Sequence, residues 1–236
     1  MVKVAAVVPA AGCGHRMGSD IKKQFLTLAG VPILGYVLRI LEASLSVQAI
    51  VLAVGEGEEE YCRQAVVEKL GLRKIAAIVH GGKERQDSVY SGLLALAPDT
   101  DIVVIHDGVR PLLRDENLEM VIGAAMQYGA ATCAVPVKDT VKLAQADSFV
   151  AETLPRDRLW LTQTPQAFRY EAILNAHRCA REANFRATDD AALVERLGMT
   201  VKLVYGNYQN IKITTPEDLV VASALLKAAQ AGGDQQ

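Results

Sequence analysis

The chain has 236 residues, half of them hydrophobic and 22% charged, with a formal net charge of -2; it can bury a sizeable core as one large domain, and it lacks the broad basic face that nucleic-acid binding needs. No stretch reaches the roughly 18 uncharged apolar residues of a membrane helix, and the N-terminal apolar run passes into glycine and arginine without a small-residue cleavage site, which points to a cytoplasmic protein. The cysteines, Cys13, Cys62, Cys133 and Cys179, form no C-x-x-C pair, and His15, His80, His106 and His177 show no metal-ligand spacing, so neither a disulfide framework nor a metal site held by protein side chains is expected.

Apolar runs of strand length then alternate with helix-period segments. Lys3 to Val8 is a predicted strand that runs into "PAAGCGHRMG", and a helix is predicted over Ile33 to Ala43. Ala49 to Val54 is the next strand, with a helix over Glu58 to Leu70. Ile75 to His80 runs into "GGKERQDS" and a helix over Gln86 to Ala97. Ile102 to His106 runs into "DGVRP", with a helix over Asp115 to Tyr128, and Thr132 to Val135 runs into "PVKDT". Runs such as "IVLAV" and "IVVIH" are too continuous to be half-exposed antiparallel strands. They predict an α/β fold with a doubly wound, mostly parallel sheet.

The helical rhythm breaks from Val137 to Arg158. Two near-alternating runs, Thr140 to Leu143 and Phe149 to Thr153, flank a polar "AQADS" turn, the pattern of a β-hairpin arm over residues 137–158. A lone hairpin is marginal in water, so the arm is expected to pack on a second copy of the chain. Helices over Tyr170 to Ala183 and Asp189 to Leu197, a strand at Thr200 to Val204, the segment "NIKIT" and a helix from Pro216 to Ala229 complete the reading. Thr215, Pro216 and Glu217 form a good helix start.

In such a sheet ligands bind beyond the carboxyl ends of the strands. Gly12, Gly14 and Gly18 in the first loop miss the dinucleotide fingerprint by one residue, and no acidic residue ends a second strand about 20 residues on. Walker A spacing is absent too. What remains is a glycine loop with Arg16 inside it and Lys22 and Lys23 shortly after. Close backbone approach, N–H donors and fixed cations suit a nucleoside triphosphate; a tight strand-to-helix turn with solvated basic residues accounts for the glycines equally well. After the third strand, Asp87 or Ser88 falls in a first helical turn, where free N–H groups can face an anion.

The segments "PAAGCGHRMG", "KKQF", "GGKERQDSV", "HDGVRP", "PVKDTVK", "LTQTPQAF", "ATDDA" and "NIKITTPEDL", in this order and over nearly the whole chain, resemble the 2-C-methyl-D-erythritol 4-phosphate cytidylyltransferases. The resemblance implies one Rossmann-like nucleotidyltransferase domain over residues 1–236 that joins the cytidylyl group of CTP to a polyol phosphate, with Mg²⁺ or another divalent cation brought by the CTP phosphates. Cytidylyltransferases for ribitol 5-phosphate or another polyol phosphate share much of the pattern, so the polyol stays open among them. Sugar-1-phosphate nucleotidylyltransferases generally place proline after the lysine, where Gln24 follows Lys23. A nucleotide-binding module that has lost catalysis would lack catalytic cations, which are present here.

By the same resemblance, Ala10, Ala11, Gly12 and Gly14 cradle the triphosphate, and Arg16 and Lys23 stabilise the α-phosphorus in the transition state. Gly81, Gly82 and Ser88 select cytosine, and Asp107 lies between nucleotide and polyol, with a possible part in orienting the metal. Arg110, Thr140, Arg156, Thr164, Thr188 and Lys212 form the polyol-phosphate site, Lys212 with a catalytic role. Thr140 and Arg156 lie on or beside the arm, which implies a homodimer with composite sites. His15 and Lys22 depart from the family's usual residues. A phosphate monoester is largely dianionic at neutral pH, its second pKa being about 6, so the reaction needs no general base. The barrier lies in bringing two polyanions together, which cations and positioning address.

Overall fold

A computed structural model describes residues 2–12 and 22–233, with side chains to residue 229. Strand β1 (Val4–Ala10) leads, past a 3-10 turn at Lys23–Phe25, to a small ladder of β2 (Thr27–Leu28) and β3 (Val31–Pro32). Then come α1 (Ile33–Ala43), β4 (Val47–Val54), and α2 (Glu59–Cys62) continued by a π-helical stretch, Arg63–Glu68. β5 (Ile75–His80), α3 (Arg85–Leu94), β6 (Ile102–Ile105), α4 (Asp115–Tyr128) and β7 (Ala130–Pro136) follow. The arm strands β8 (Lys142–Ala144) and β9 (Val150–Thr153) precede β10 (Trp160–Arg169), α5 (Tyr170–Glu182), α6 (Ala191–Arg196), β11 (Lys202–Tyr205) and α7 (Pro216–Gly233).

Seven strands form one sheet in the order β11-β7-β10-β6-β1-β4-β5. β1 pairs parallel with β4 and β6, β4 with β5, and β7 with β11; β10 runs antiparallel to both β6 and β7. Alternate residues of a strand face opposite sides, and β1 feeds two cores accordingly. Val4, Ala6 and Val8 pack with Leu34, Leu38 and Leu41 of α1 and with Leu118 and Val121 of α4. Ala5 and Val7 pack with Val89 and Leu93 of α3 and with Ile173 of α5. Both faces of the sheet are therefore covered, as the continuous apolar runs predict. The chain leaves β1 for β4 and β5 on one side, then returns to β6 on the other, which opens a crevice at the carboxyl ends of β1 and β6.

The predicted strands and helices of the first half fall within a few residues of their places; the helix expected over Glu58 to Leu70 is instead split between α2 and the π-helical stretch. The sequence reading leaves residues 160–169 without a strand, and there β10 runs. Pro165 lacks an N–H and argues against an interior strand. The ladder between β10 and β7 is in fact irregular between Thr162 and Gln166, so the proline sits where the pairing is relaxed. Helix α4 ends at Gly129, in the left-handed region at φ 88°, the conformation that lets the chain turn at once into β7. α7 starts on a reciprocal cap: Asp218 Oδ2 accepts from the backbone N–H of Thr214 and Thr215, and Thr215 Oγ1 accepts from Asp218 N–H.

Among the described residues β8 and β9 pair with each other only, in a separate antiparallel ladder whose residues are all exposed. Among the described residues no helix is long and apolar enough to cross a membrane.

Candidate active site

A groove of about 1190 Å³ crosses the carboxyl ends of β1, β4, β5 and β6. On the β1 side it is lined by Ala10, Ala11 and Gly12 and by Lys22 and Lys23. Buried Gln24 donates from Nε2 to the Ala10 carbonyl at 2.6 Å, which ties the turn bearing Lys23 to the end of β1. Lys22, one residue earlier, pairs with Glu58 at 2.8 Å, and Glu58 also accepts the Gly55 N–H at 2.9 Å. Gly14 and Arg16 lie outside the described residues, as does Cys13.

The facing wall is the loop from β5 into α3. Gly81 N–H donates to the Val54 carbonyl at 2.7 Å. A β-carbon on Gly81 would stand 2.5 Å from the Ala11 β-carbon and 2.9 Å from Ser88 Oγ, so the two loops approach too closely for any residue but glycine. Ser88 Oγ accepts the Gly82 N–H at 3.2 Å and lies 3.1 Å from the Glu84 carbonyl. Its hydroxyl shapes the loop that Gly81 and Gly82 present.

The floor is built around Asp107, 5% exposed, just past β6. Its Oδ1 accepts from Arg85 Nε at 2.7 Å, its Oδ2 faces Lys212 Nζ at 2.8 Å, and Arg110 Nε stands 3.8 Å from Oδ2. Burial alone would raise the carboxyl pKa, yet Arg85, then Lys212 and Arg110, hold it far below the usual carboxylate range. Three distant segments are needed for this knot. Arg85 opens α3, and its Nη1 also bonds Asp190 Oδ2 at 2.7 Å. Lys212 arrives because Ile213 N–H donates to the Val109 carbonyl at 2.9 Å, over a small core of Leu28, Ile33, Val109, Ile213 and Ala222.

Beyond the knot lies a pocket of about 230 Å³, lined by Arg110, Thr164 and Thr188 and sharing Arg85, Asp107 and Lys212 with the groove. Arg110 donates from Nη1 to the Asn210 carbonyl at 2.7 Å, while its buried Nε has no hydrogen-bond partner. Of the residues expected from sequence, the structure thus gathers Ala10, Ala11, Gly12, Lys23, Gly81, Gly82, Ser88 and Asp107 at the groove, and Arg110, Thr164, Thr188 and Lys212 at the pocket. Thr140 and Arg156 are exposed and line neither cavity; Arg156 donates to the Lys138 carbonyl at 2.9 Å. Arg85, Gln24 and Asp190 were missed. Arg85 stands inside the quoted "GGKERQDS", and an arginine opening a helix directly after a glycine turn was the available signal.

Seven basic and four acidic side chains line the groove among the described residues, although the whole chain is net negative. That imbalance favours a polyanion. Three titratable groups of the described residues are kept out of acid–base and thiol chemistry by burial: His106 is fully buried, with its pKa lowered to about 4, and burial pushes the Cys62 and Cys133 thiols up to about 12. Among the described residues no three His, Cys, Asp or Glu side chains converge to hold a metal. Asp107 has both oxygens engaged by cations.

A sequence profile of the 2-C-methyl-D-erythritol 4-phosphate cytidylyltransferase family matches residues 4–228. The chain is 63% identical to the 2-C-methyl-D-erythritol 4-phosphate cytidylyltransferase of Pelotomaculum thermopropionicum, covering 99% of this chain and 100% of that protein. It is 52% identical to the enzyme of the same name from Desulforamulus reducens, over 96% of this chain and 97% of that one. Among solved structures, 4-diphosphocytidyl-2C-methyl-D-erythritol synthase from Anaerococcus prevotii superposes with a TM-score of 0.85 at 33% identity, covering 96% of both chains.

Proposed function

The chain belongs to the 2-C-methyl-D-erythritol 4-phosphate cytidylyltransferase family, and from that membership we propose how its groove and pocket divide the work of cytidylyl transfer. The enzyme joins the cytidylyl group of CTP to 2-C-methyl-D-erythritol 4-phosphate and releases pyrophosphate, a step in isoprenoid precursor synthesis. CTP occupies the groove, its phosphates along Ala10, Ala11, Gly12 and Gly14 and its base against Gly81, Gly82 and Ser88. The polyol phosphate occupies the pocket, with Arg110, Thr188 and Lys212 around it.

The observation that carries this reading is the knot of Arg85, Asp107 and Lys212, which belongs to both cavities at once. A phosphate in the pocket faces the α-phosphate of a nucleotide in the groove across that knot. The attacking oxygen is already anionic, so the chain's task is placement and charge. Lys212 draws the polyol phosphate toward the junction while Asp107 limits the positive charge there. Lys23 and Arg16 neutralise the charge that develops on the α-phosphate, and the bond to pyrophosphate breaks in line as the new P–O bond forms. Mg²⁺ enters as part of the CTP complex, consistent with the engaged oxygens of Asp107. Thr140 and Arg156, which do not line their own chain's pocket, reach the pocket of a second copy in a homodimer. A cytoplasmic setting, where nucleoside triphosphates are available, completes the reading.

Pyrophosphate release from CTP tests it, with 2-C-methyl-D-erythritol 4-phosphate and ribitol 5-phosphate as parallel acceptors and UTP as the base control. Turnover is expected with the methylerythritol compound and CTP only, to vanish with EDTA, and to fall by about 10²-fold or more in Lys23→Ala. Turnover with ribitol 5-phosphate alone would move the acceptor assignment. Silence with both would leave a nucleotide-binding module.

A further inference from the structure

His106 directly follows β6 at zero exposure, and both of its ring nitrogens are engaged. Nε2 lies 3.2 Å from the Arg110 carbonyl, and Nδ1 lies 3.1 Å from Thr164 Oγ1. A carbonyl oxygen can only accept, so Nε2 carries the ring hydrogen and Nδ1 is a bare acceptor. The Thr164 hydroxyl therefore donates its one hydrogen to His106. With a lone pair it accepts the Asp107 N–H at 3.0 Å. Burial holds the ring neutral, its pKa lowered to about 4, so this polarity persists at neutral pH. The charged groups near it are Asp107, Arg110 and Arg85.

The chain of donors closes on itself. Arg110 Nη1 donates to the Asn210 carbonyl at 2.7 Å, and Asn210 Nδ2 donates to the Thr164 carbonyl at 2.7 Å. Thr164 donates to His106, and His106 donates back to the carbonyl of Arg110. This ring joins the turn after β6, strand β10 and the segment ahead of Lys212. Arg110 N–H donates to the Asp107 carbonyl at 3.1 Å, so the turn carrying Asp107 and Arg110 is gripped at both ends.

We propose that His106, as the Nε2–H tautomer, is a positioning residue for the phosphate pocket, and that Thr164 acts through His106 and the Asp107 backbone instead of donating to substrate. This rests on the assignment of the polyol phosphate to that pocket. The sequence resemblance placed Thr164 among the substrate ligands; the hydrogen-bond directions give its only proton to the protein. His106 orients the Thr164 hydroxyl, Thr164 holds the Asp107 N–H, and the turn aims the otherwise unpartnered Nε of Arg110.

Two measurements test this. The ¹⁵N spectrum of the histidine rings in the wild-type enzyme is expected to show one buried histidine as the neutral Nε2–H tautomer, unchanged from pH 7.5 to about 5.5; assignment by loss of that signal in His106→Gln identifies it. The Nδ1–H tautomer, or an imidazolium in this range, would overturn the proposal whatever the acceptor proves to be. Secondly, Thr164→Val and His106→Gln, which keeps a donor toward Arg110 but loses the acceptor for Thr164, are compared singly and together. Each is expected to raise KM for the polyol phosphate about tenfold, the effect of one ordinary hydrogen bond, with KM for CTP within about twofold. The double variant should be no worse than either single one. Multiplying effects would show Thr164 donating to substrate independently of His106. Should the acceptor assignment itself fail, the same non-additivity is read from the thermal unfolding midpoints.

Discussion

At the scale of single residues, opposite charge and burial set two pH responses that do not overlap. Asp107 and Asp190 have pKa values held below normal despite burial, chiefly by Arg85. Their stabilising effect is present above the unfolded carboxylate pKa of about 3.9 and is lost only as pH falls further, toward their folded values. His106 behaves otherwise. Its folded pKa of about 4 lies below the ordinary 6.5, so the unfolded chain takes up a proton that the folded chain refuses. Stability is therefore expected to fall progressively as pH drops from 6.5 toward 4, by at most on the order of 3 kcal/mol. Urea unfolding at a series of pH values checks this. His106→Gln should flatten the curve in that window, and an equally steep loss in the variant would assign it to other groups.

At the scale of elements, the site depends on how closely loops approach. Gly81 lets the loop before α3 rest against Ala11, and an added methyl would press on Ala11, Ser88 and the Val54 carbonyl. Gly81→Ala is expected to raise KM for CTP about tenfold and to cost roughly 1–3 kcal/mol of stability from overpacking. Titrating CTP binding calorimetrically checks it, and unchanged affinity would remove this loop from the nucleotide site. The parallel strands and their glycine-rich exits were legible because burial on both faces leaves continuous apolar runs. Helix α1 and helix α4 were legible end to end, since their apolar spacing and the Gly129 stop agree. β10 was not legible: Pro165 and the polar residues Thr162, Gln163, Thr164 and Gln166 mask a strand whose polar side chains serve the site from within. Arg85 and Gln24 were hidden for a related reason, since a buried polar side chain reads in sequence as a solvated one until its partners, Asp107, Asp190 and the Ala10 carbonyl, are placed.

At the scale of the whole molecule, the arm is an exposed ladder rooted beside an aromatic cluster. Trp160 meets Tyr205 edge-on at 5.8 Å, and Lys138 caps the Tyr208 ring at 3.5 Å. Leu143, Phe149 and Val150 on the arm, with Leu161 and Tyr205 at its root, remain exposed. In the proposed homodimer each pocket takes Thr140 and Arg156 from the other chain, which complementation can detect. Lys23→Ala and Arg156→Ala homodimers should each be strongly impaired. When the two are unfolded together and refolded, a heterodimer regains one site with both residues intact, and about a quarter of wild-type activity is expected from random assortment. Activity no greater than the average of the parents would place Arg156 and Lys23 in the same chain's site or outside it.

The place of β10 in the sheet also orders the protein's assembly in time. It lies between β6 and β7, both of which precede it in the chain, so those two strands cannot become neighbours when they emerge. Until Trp160–Arg169 is made, each presents an unpaired edge, and the hairpin arm between β7 and β10 is the tether on which the missing strand swings back. A nascent chain paused within the arm thus offers these two facing edges to any other chain nearby, while the far edge of β7 still awaits β11. Late insertion of one antiparallel strand closes them, and the same event brings Thr164 to His106 and Asp107. The sheet becomes continuous from β7 to β5, and the floor is completed only when the later segment bearing Asn210 and Lys212 docks against Thr164 and Asp107.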